Sequence, residues 1–125
     1  MMSNYDELID KYFANLNEID DERRRELIGQ VWSENGKFVS PFGVAVGHEA
    51  IDAKARTAVK QLAGGKVRRA SDIETLHDCL RLKFEVVDKD GEAFIGGVDF
   101  GTIEGGKLQS MVGFFDFAPS VQTNE

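Results

Sequence analysis

The glycine pair Gly64-Gly65 divides this chain into two textures, and no single repeating element satisfies both. Before it, apolar residues recur at helical spacing; after it, they alternate with polar ones as along half-buried strands. Helices drawn from one half of a chain and strands from the other make an α+β domain, with the helices gathered on one face of a sheet.

In the first half, Tyr5, Leu8, Ile9, Tyr12, Phe13 and Leu16 fall at i, i+3, i+4, i+7, i+8 and i+11, one stripe along a helix. The stripe breaks over Asn17 to Asp21, where Asp20 is a suitable N-cap for a second helix. That helix carries Leu27, Ile28, Val31 and Trp32 on one face and is expected to stop near Asn35-Gly36. Lys37 to Ser40 is a short extended stretch closed by Pro41-Phe42-Gly43. From Gly47 a third helix shows Ile51, Ala55, Ala58, Val59 and Leu62 as its apolar stripe, and the glycine pair ends it.

In the second half, the spacing predicts a meander of four strands. Lys66 to Glu74 forms the first. Leu76 to Val87 follows, with Leu76, Leu80, Leu82, Phe84 and Val86 on one side and His77, Cys79, Arg81, Lys83 and Glu85 on the other. Asp90-Gly91 is a hairpin signal. Glu92 to Ile103 makes the third strand, Gly105-Gly106 a turn, and Leu108 to Phe117 the last. Gly96, Gly97, Gly101 and Gly113 remove side chains from these strands, so the sheet is expected to curl. A curved antiparallel sheet roofed by three helices encloses a conical space, which is a pocket candidate.

With 125 residues, a single domain over 1–125 is expected, with a loose polar tail from Pro119 to Glu125. The 15 basic residues are outnumbered by 22 acidic ones, for a formal charge of −7. That balance argues against a nucleic-acid partner, whose phosphates need clustered cations. The run Arg23-Arg24-Arg25 is offset by Glu18, Asp20, Asp21 and Glu22. No apolar run reaches the ~18 residues of a membrane span. Met1 to Glu7 has no basic and apolar leader pattern, and the lone Cys79 forms no internal disulfide, so a cytoplasmic location is expected. His48 and His77 stand on different elements with no ligand spacing between them, and no metal or cofactor is called for. His77 and Cys79 share a strand face, but no third group orients them as a catalytic dyad.

Asp99 carries the functional argument. If Asp90-Gly91 is a two-residue turn with Lys89 opposite Glu92, Asp99 lies across from Leu82, on the face of Phe84 and Leu80. A carboxyl on the apolar face is desolvated, which favours its neutral form and raises its pKa. A neutral acid can donate a hydrogen bond to a ligand oxygen. The alternative is an ionised Asp99 that only orders the sheet, and a one-residue bulge would turn it to the outer face. Tyr12, on the apolar stripe of the first helix, offers a second inward donor. Trp32 suits a core or pocket wall. Asp78 shares strand parity with Asp99 and is a second carboxylate to consider.

The order of elements resembles the nuclear transport factor 2-like superfamily, and within it ketosteroid isomerases and SnoaL-like polyketide cyclases. The likeness runs from Tyr5 to Phe117. It rests on Tyr12, on Trp32 to Gly43, on Gly47-His48-Glu49-Ala50-Ile51, on Gly97-Val98-Asp99 and on Gly106 to Phe115. It implies a cone-shaped apolar pocket and a homodimer. It also implies Tyr12 and Asp99 as oxyanion donors, with Trp32, Ser40, Phe42, Leu82, Phe84, Met111 and Phe115 around a small apolar ligand. Met111, Gly113 and Phe115 facing the cone would require a three-residue loop at Gly105-Gly106. The family's general base, an aspartate just before Pro-Phe-Gly, is here Ser40, and Ala55 stands where a second pocket tyrosine is usual.

Two functions are therefore expected from the sequence. One is an isomerase, cyclase or dehydratase acting on a carbonyl- or hydroxyl-bearing molecule, with Asp78 or Asp99 itself as base. The other is a non-catalytic module that binds a hydrophobic ligand or pairs through the sheet's outer face, where Phe94, Val98 and Phe100 are expected together.

Overall fold

The computed structural model describes residues 5–118. The tail expected from Pro119 onward, and the N-terminal residues 1–4, lie outside them. Helix α1 spans Asp6–Asn17 and α2 Asp21–Val31. Strands β1 (Trp32–Ser40) and β2 (Gly43–Val46) follow, then α3 (His48–Leu62). The second half contributes β3 (Lys66–Arg69), β4 (Glu74–Leu76), β5 (Cys79–Val87), β6 (Ala93–Glu104) and β7 (Lys107–Phe117). The strands form one curved sheet in the order β2-β1-β7-β6-β5-β3, with β4 also on β5.

The helices start and stop largely where the chemistry predicts. Asp20 caps α2, its Oδ2 accepting from the Arg23 N–H at 2.8 Å. The second helix, however, ends at Val31 and not at Asn35-Gly36. Trp32 adopts extended backbone, its N–H closing on the Ile28 carbonyl, and its ring enters the core beside Phe38 at 5.6 Å. The demand for a buried indole overrides the helix-stop pair further on.

Three other expectations change. Lys66 to Glu74 is not one strand: the chain leaves the ladder after Arg69 and returns at Glu74, with the Ser71 hydroxyl accepting from the Lys83 N–H at 2.7 Å. Gly43–Val46, too short to show a period, pairs with β1 across Pro41-Phe42. The pairing of β1 with β7 is parallel, whereas every other pairing in the sheet is antiparallel. A parallel neighbour requires a long crossover, and here α3 and the rest of the sheet intervene between the two strands.

The register shows how Asp99 reaches the inner face. The β5–β6 loop is longer than two residues, because Val87 pairs with Ala93 and the Asp88 N–H donates to the Glu92 carbonyl at 2.9 Å. That loop alone would place Asp99 opposite Arg81. One extra residue on β6, Phe94, shifts the ladder back, so that Val86 pairs with Ile95 and Leu82 with Asp99. The β6–β7 turn shows the same device. Glu104 pairs with Lys107 across Gly105-Gly106, a two-residue loop and not the three expected, and a bulge at Gln109 then sets Met111 opposite Gly101 and Gly113 opposite Asp99.

Candidate functional site

The inner face of the sheet and the three helices share one core. Ile9, Tyr12, Phe13 and Leu16 of α1, Ile28 and Val31 of α2 and Ile51 of α3 pack with Trp32, Phe38, Leu80, Leu82, Phe84, Val86 and Met111. Asp99 lies among them, 3 % exposed. Its place is made by the strand beside it: a Cβ on Gly113 would stand 2.9 Å from Asp99 Oδ1, so a side chain there would displace the carboxyl. Gly97 serves the neighbouring row, where a Cβ would press on the Phe84 ring at 2.7 Å.

The Tyr12 hydroxyl donates to Asp99 Oδ2 at 3.2 Å. Tyr12 is itself buried, with its ring edge-on to Phe13, Trp32 and Phe38. Burial pushes the Asp99 carboxyl up to about 7, against the hydrogen bond from Tyr12, which acts to lower it. Burial, then the Asp99 charge and the shared hydrogen bond, push the phenol well above its ordinary range. Desolvation thus outweighs the hydrogen bond, and near neutrality Asp99 populates both protonation states. As the acid it can donate to a ligand; as the carboxylate it can accept a proton.

The remaining expected residues differ in burial. Trp32 and Met111 are fully enclosed, and Leu82 and Phe84 are buried on the row beside Asp99. Phe115 is half-buried and meets the Phe84 ring at 6.1 Å. Phe42 is 76 % exposed on the β1–β2 turn, touching the Phe115 ring edge-on at 5.6 Å. Ser40 is half-buried, and its hydroxyl accepts from the Phe42 N–H at 3.2 Å. No carboxylate or imidazole is hydrogen-bonded to that hydroxyl among the described residues.

Asp78 does not join Asp99. It is exposed in the turn between β4 and β5, 3.6 Å from Cys79 Sγ, because strand parity fails where His77 takes a positive φ of 57°. Leu76, expected in the core, is exposed for the same reason. His77 and Cys79 are exposed as well. His48, on the other hand, is half-buried, with Nε2 2.9 Å from the Trp32 carbonyl. Among the described residues no group of three or more His, Cys, Asp or Glu is arranged to hold a metal ion, and no helix is long and apolar enough to cross a membrane.

Several buried polar residues were not singled out from the sequence. Asn15 is fully buried: its Oδ1 accepts from Trp32 Nε1 at 3.3 Å, and its Nδ2 has no partner. It lies one helical turn from Tyr12, and that spacing was the available signal. Arg24 and Asp52 form a buried pair at 2.7 Å between α2 and α3. Arg24 also donates to the Glu18 carbonyl and to Asp21. Arg24 precedes Ile28 by four residues and Asp52 follows Ile51, so both border apolar stripes. On the outer face, Phe100 and Phe114 are 42 % and 58 % exposed with rings 6.0 Å apart. Phe94, expected beside them, is the bulged residue and packs against the core.

No protein-family model matches the sequence, and no curated protein sequence does. Solved structures do match. An inferred isomerase of the SnoaL-like family from Agrobacterium tumefaciens str. C58 is 30% identical, aligns over 92% of this chain and 99% of its own, and superposes with a TM-score of 0.86. An inferred ketosteroid isomerase from Kribbella flavida DSM 17836 is 17% identical over 94% of this chain and 81% of its own, with a TM-score of 0.68. TerC, co-crystallised with polyporic acid, is 21% identical over 91% of this chain and 92% of its own, with a TM-score of 0.67. The last two likenesses are of fold alone.

Proposed function

Because the chain belongs to the SnoaL-like family of nuclear transport factor 2-like proteins, we propose that its cone binds a small, largely apolar molecule bearing a carbonyl or hydroxyl, and that Tyr12 and Asp99 act on that oxygen. The observation that carries this is the Tyr12–Asp99 hydrogen bond, 3.2 Å long and closed to water at both ends. Asp99 Oδ1, the oxygen that Tyr12 does not engage, is the group offered to the ligand. In its protonated form it donates to an oxygen on which negative charge develops. Such donors contribute a few kcal/mol each in favourable cases. Tyr12 steadies the carboxyl and can turn its own hydroxyl to the same oxygen. TerC's co-crystallisation with polyporic acid supports a small-molecule role for this fold.

The reaction class is isomerisation, cyclisation or dehydration. With Ser40 in place of an aspartate and Asp78 exposed, the ionised form of Asp99 is the base we assign; in that step the carboxylate takes the substrate's proton, and Tyr12 alone donates to the oxygen on which charge develops. Trp32, Leu82, Phe84 and Met111 would hold the apolar body, with Ser40, Phe42 and Phe115 at the mouth. A substrate that turns over should lose turnover in the Tyr12→Phe, Asp99→Ala double variant, whereas Asp99→Asn should still bind it. Unchanged turnover in the double variant excludes the mechanism.

Ser40 favours a second function, ligand binding without chemistry, since its hydroxyl is occupied by a backbone N–H and has no base beside it. Under that function the Asp99→Asn variant binds as the wild type does and no substrate turns over. In either case we propose a homodimer joined through Phe100 and Phe114, and a cytoplasmic location, consistent with the free and exposed Cys79.

A further inference from the structure

Lys54 is a cation that neither function uses. It stands on α3, half-buried, with Nζ 4.7 Å from the centroid of the Phe38 ring. Phe38 belongs to the inner face, and its ring is also 6.1 Å from that of Tyr12. One aromatic ring therefore links the ammonium to the phenol. Nζ donates to the Gly43 carbonyl at 2.8 Å, which ties it to the β1–β2 turn carrying Ser40 and Phe42. None of the ion pairs among the described residues includes Lys54.

An ammonium has three N–H donors. The Gly43 carbonyl takes one, and the Phe38 face supplies a weak cation–π contact. That hydrogen bond is exposed, so water serves the remaining donors until a ligand displaces it. Burial holds the Lys54 ammonium below the usual lysine range. Arg56, two residues on along α3, is paired with Asp52 at 3.5 Å.

We propose that Lys54 is a second polar anchor of the cone and binds an anionic carboxylate on the ligand, at the end opposite the carbonyl or hydroxyl that meets Asp99. This rests on the cone being a small-molecule site, and it narrows the ligand class to apolar acids carrying a second oxygen function. The two anchors divide the work. Asp99 and Tyr12, deep and dry, recognise a neutral or developing charge, whereas Lys54, at the wetter end, recognises a formed one.

The test uses two probes that differ only in charge, 6-hydroxy-2-naphthoate and its methyl ester, titrated into the protein with intrinsic Trp32 fluorescence or ligand-observed NMR as the readout. The wild type should bind the acid about tenfold or more tightly than the ester, as expected for a charge-assisted hydrogen bond at a partly dry site. Lys54→Met should lose that preference while binding the ester as before, and Lys54→Arg should keep most of it. Equal binding of acid and ester by the wild type, or a preference that survives in Lys54→Met, overturns the role of Lys54 and leaves the cone as a site. Binding of neither probe removes the small-molecule site, and the anchor with it.

Discussion

Tyr12 and Asp99 stand 87 residues apart in the chain and share a hydrogen bond of 3.2 Å. One comes from the first helix and the other from the middle of β6, and neither is more than 3 % exposed. The pair joins the helical roof to the sheet at the point where the sheet's own side chains thin out, at Gly97, Gly101 and Gly113. A carboxyl held this way works against stability when ionised, and that opposition can be measured.

The first expectation concerns pH. Folded, Asp99 keeps its proton up to about 7; an unperturbed aspartate releases it near 3.8. Between those values the folded state binds more protons than the unfolded state, so this group's contribution is present at low pH and lost as pH rises through the window. Asp99→Asn cannot ionise. Its stability relative to wild type should climb by about 4 kcal/mol between roughly pH 4 and pH 8, measured by urea unfolding. A difference that stays constant with pH would mean that Asp99 titrates normally.

Removing the phenolic hydroxyl should move the carboxyl in a known direction. The hydrogen bond from Tyr12 lowers the Asp99 pKa against burial. In Tyr12→Phe that bond is absent, so Asp99 should titrate above its wild-type value, as followed by carbon-detected NMR of labelled aspartate. A downward movement would show that water enters when the hydroxyl leaves.

Much of this arrangement was legible in the sequence, and the exceptions have physical causes. The stripe through Tyr12 and the cap at Asp20 could be read directly, because each depends on a local period or on the chemistry of a helix start. The loop lengths could not. The β5–β6 loop is longer than expected and the β6–β7 loop is shorter, yet bulges at Phe94 and Gln109 restore the ladder, so the face of Asp99 came out right although the loop did not. Bulges leave no compositional mark. Asp78 and Leu76 were placed by parity that ends at the left-handed His77. Arg24, Asp52 and Asn15 were missed because charged and amide residues beside an apolar stripe are usually solvated, and here their burial depends on partners from other helices or strands.

The Arg24–Asp52 pair should be costly to break. Arg24 is 1 % exposed and makes hydrogen bonds to Asp52, to the Glu18 carbonyl and to Asp21. Arg24→Met leaves Asp52 with only the longer contacts to Arg25 and Arg56, and should cost about 3–5 kcal/mol in urea unfolding. Arg24→Met combined with Asp52→Leu should recover part of that loss. A cost below about 1 kcal/mol would mark the pair as solvated.

The outer face gives a separate test. Phe100 and Phe114 form an exposed aromatic contact on β6 and β7. Wild type should sediment as a dimer at micromolar concentration, and Phe114→Glu as a folded monomer, since a charge opposes burial at a self-complementary interface. A monomeric wild type rules out the pairing without bearing on the proposed small-molecule site.

The central claim is that a carboxyl on β6 is held against the hydrophobic core, with its proton poised near neutrality. The most direct measurement is the NMR titration of the Asp99 carboxyl carbon in the wild-type protein. A midpoint at about 7 is expected. A midpoint near the ordinary 3.8 would contradict it, and would leave Asp99 as an ionised group that orders the sheet.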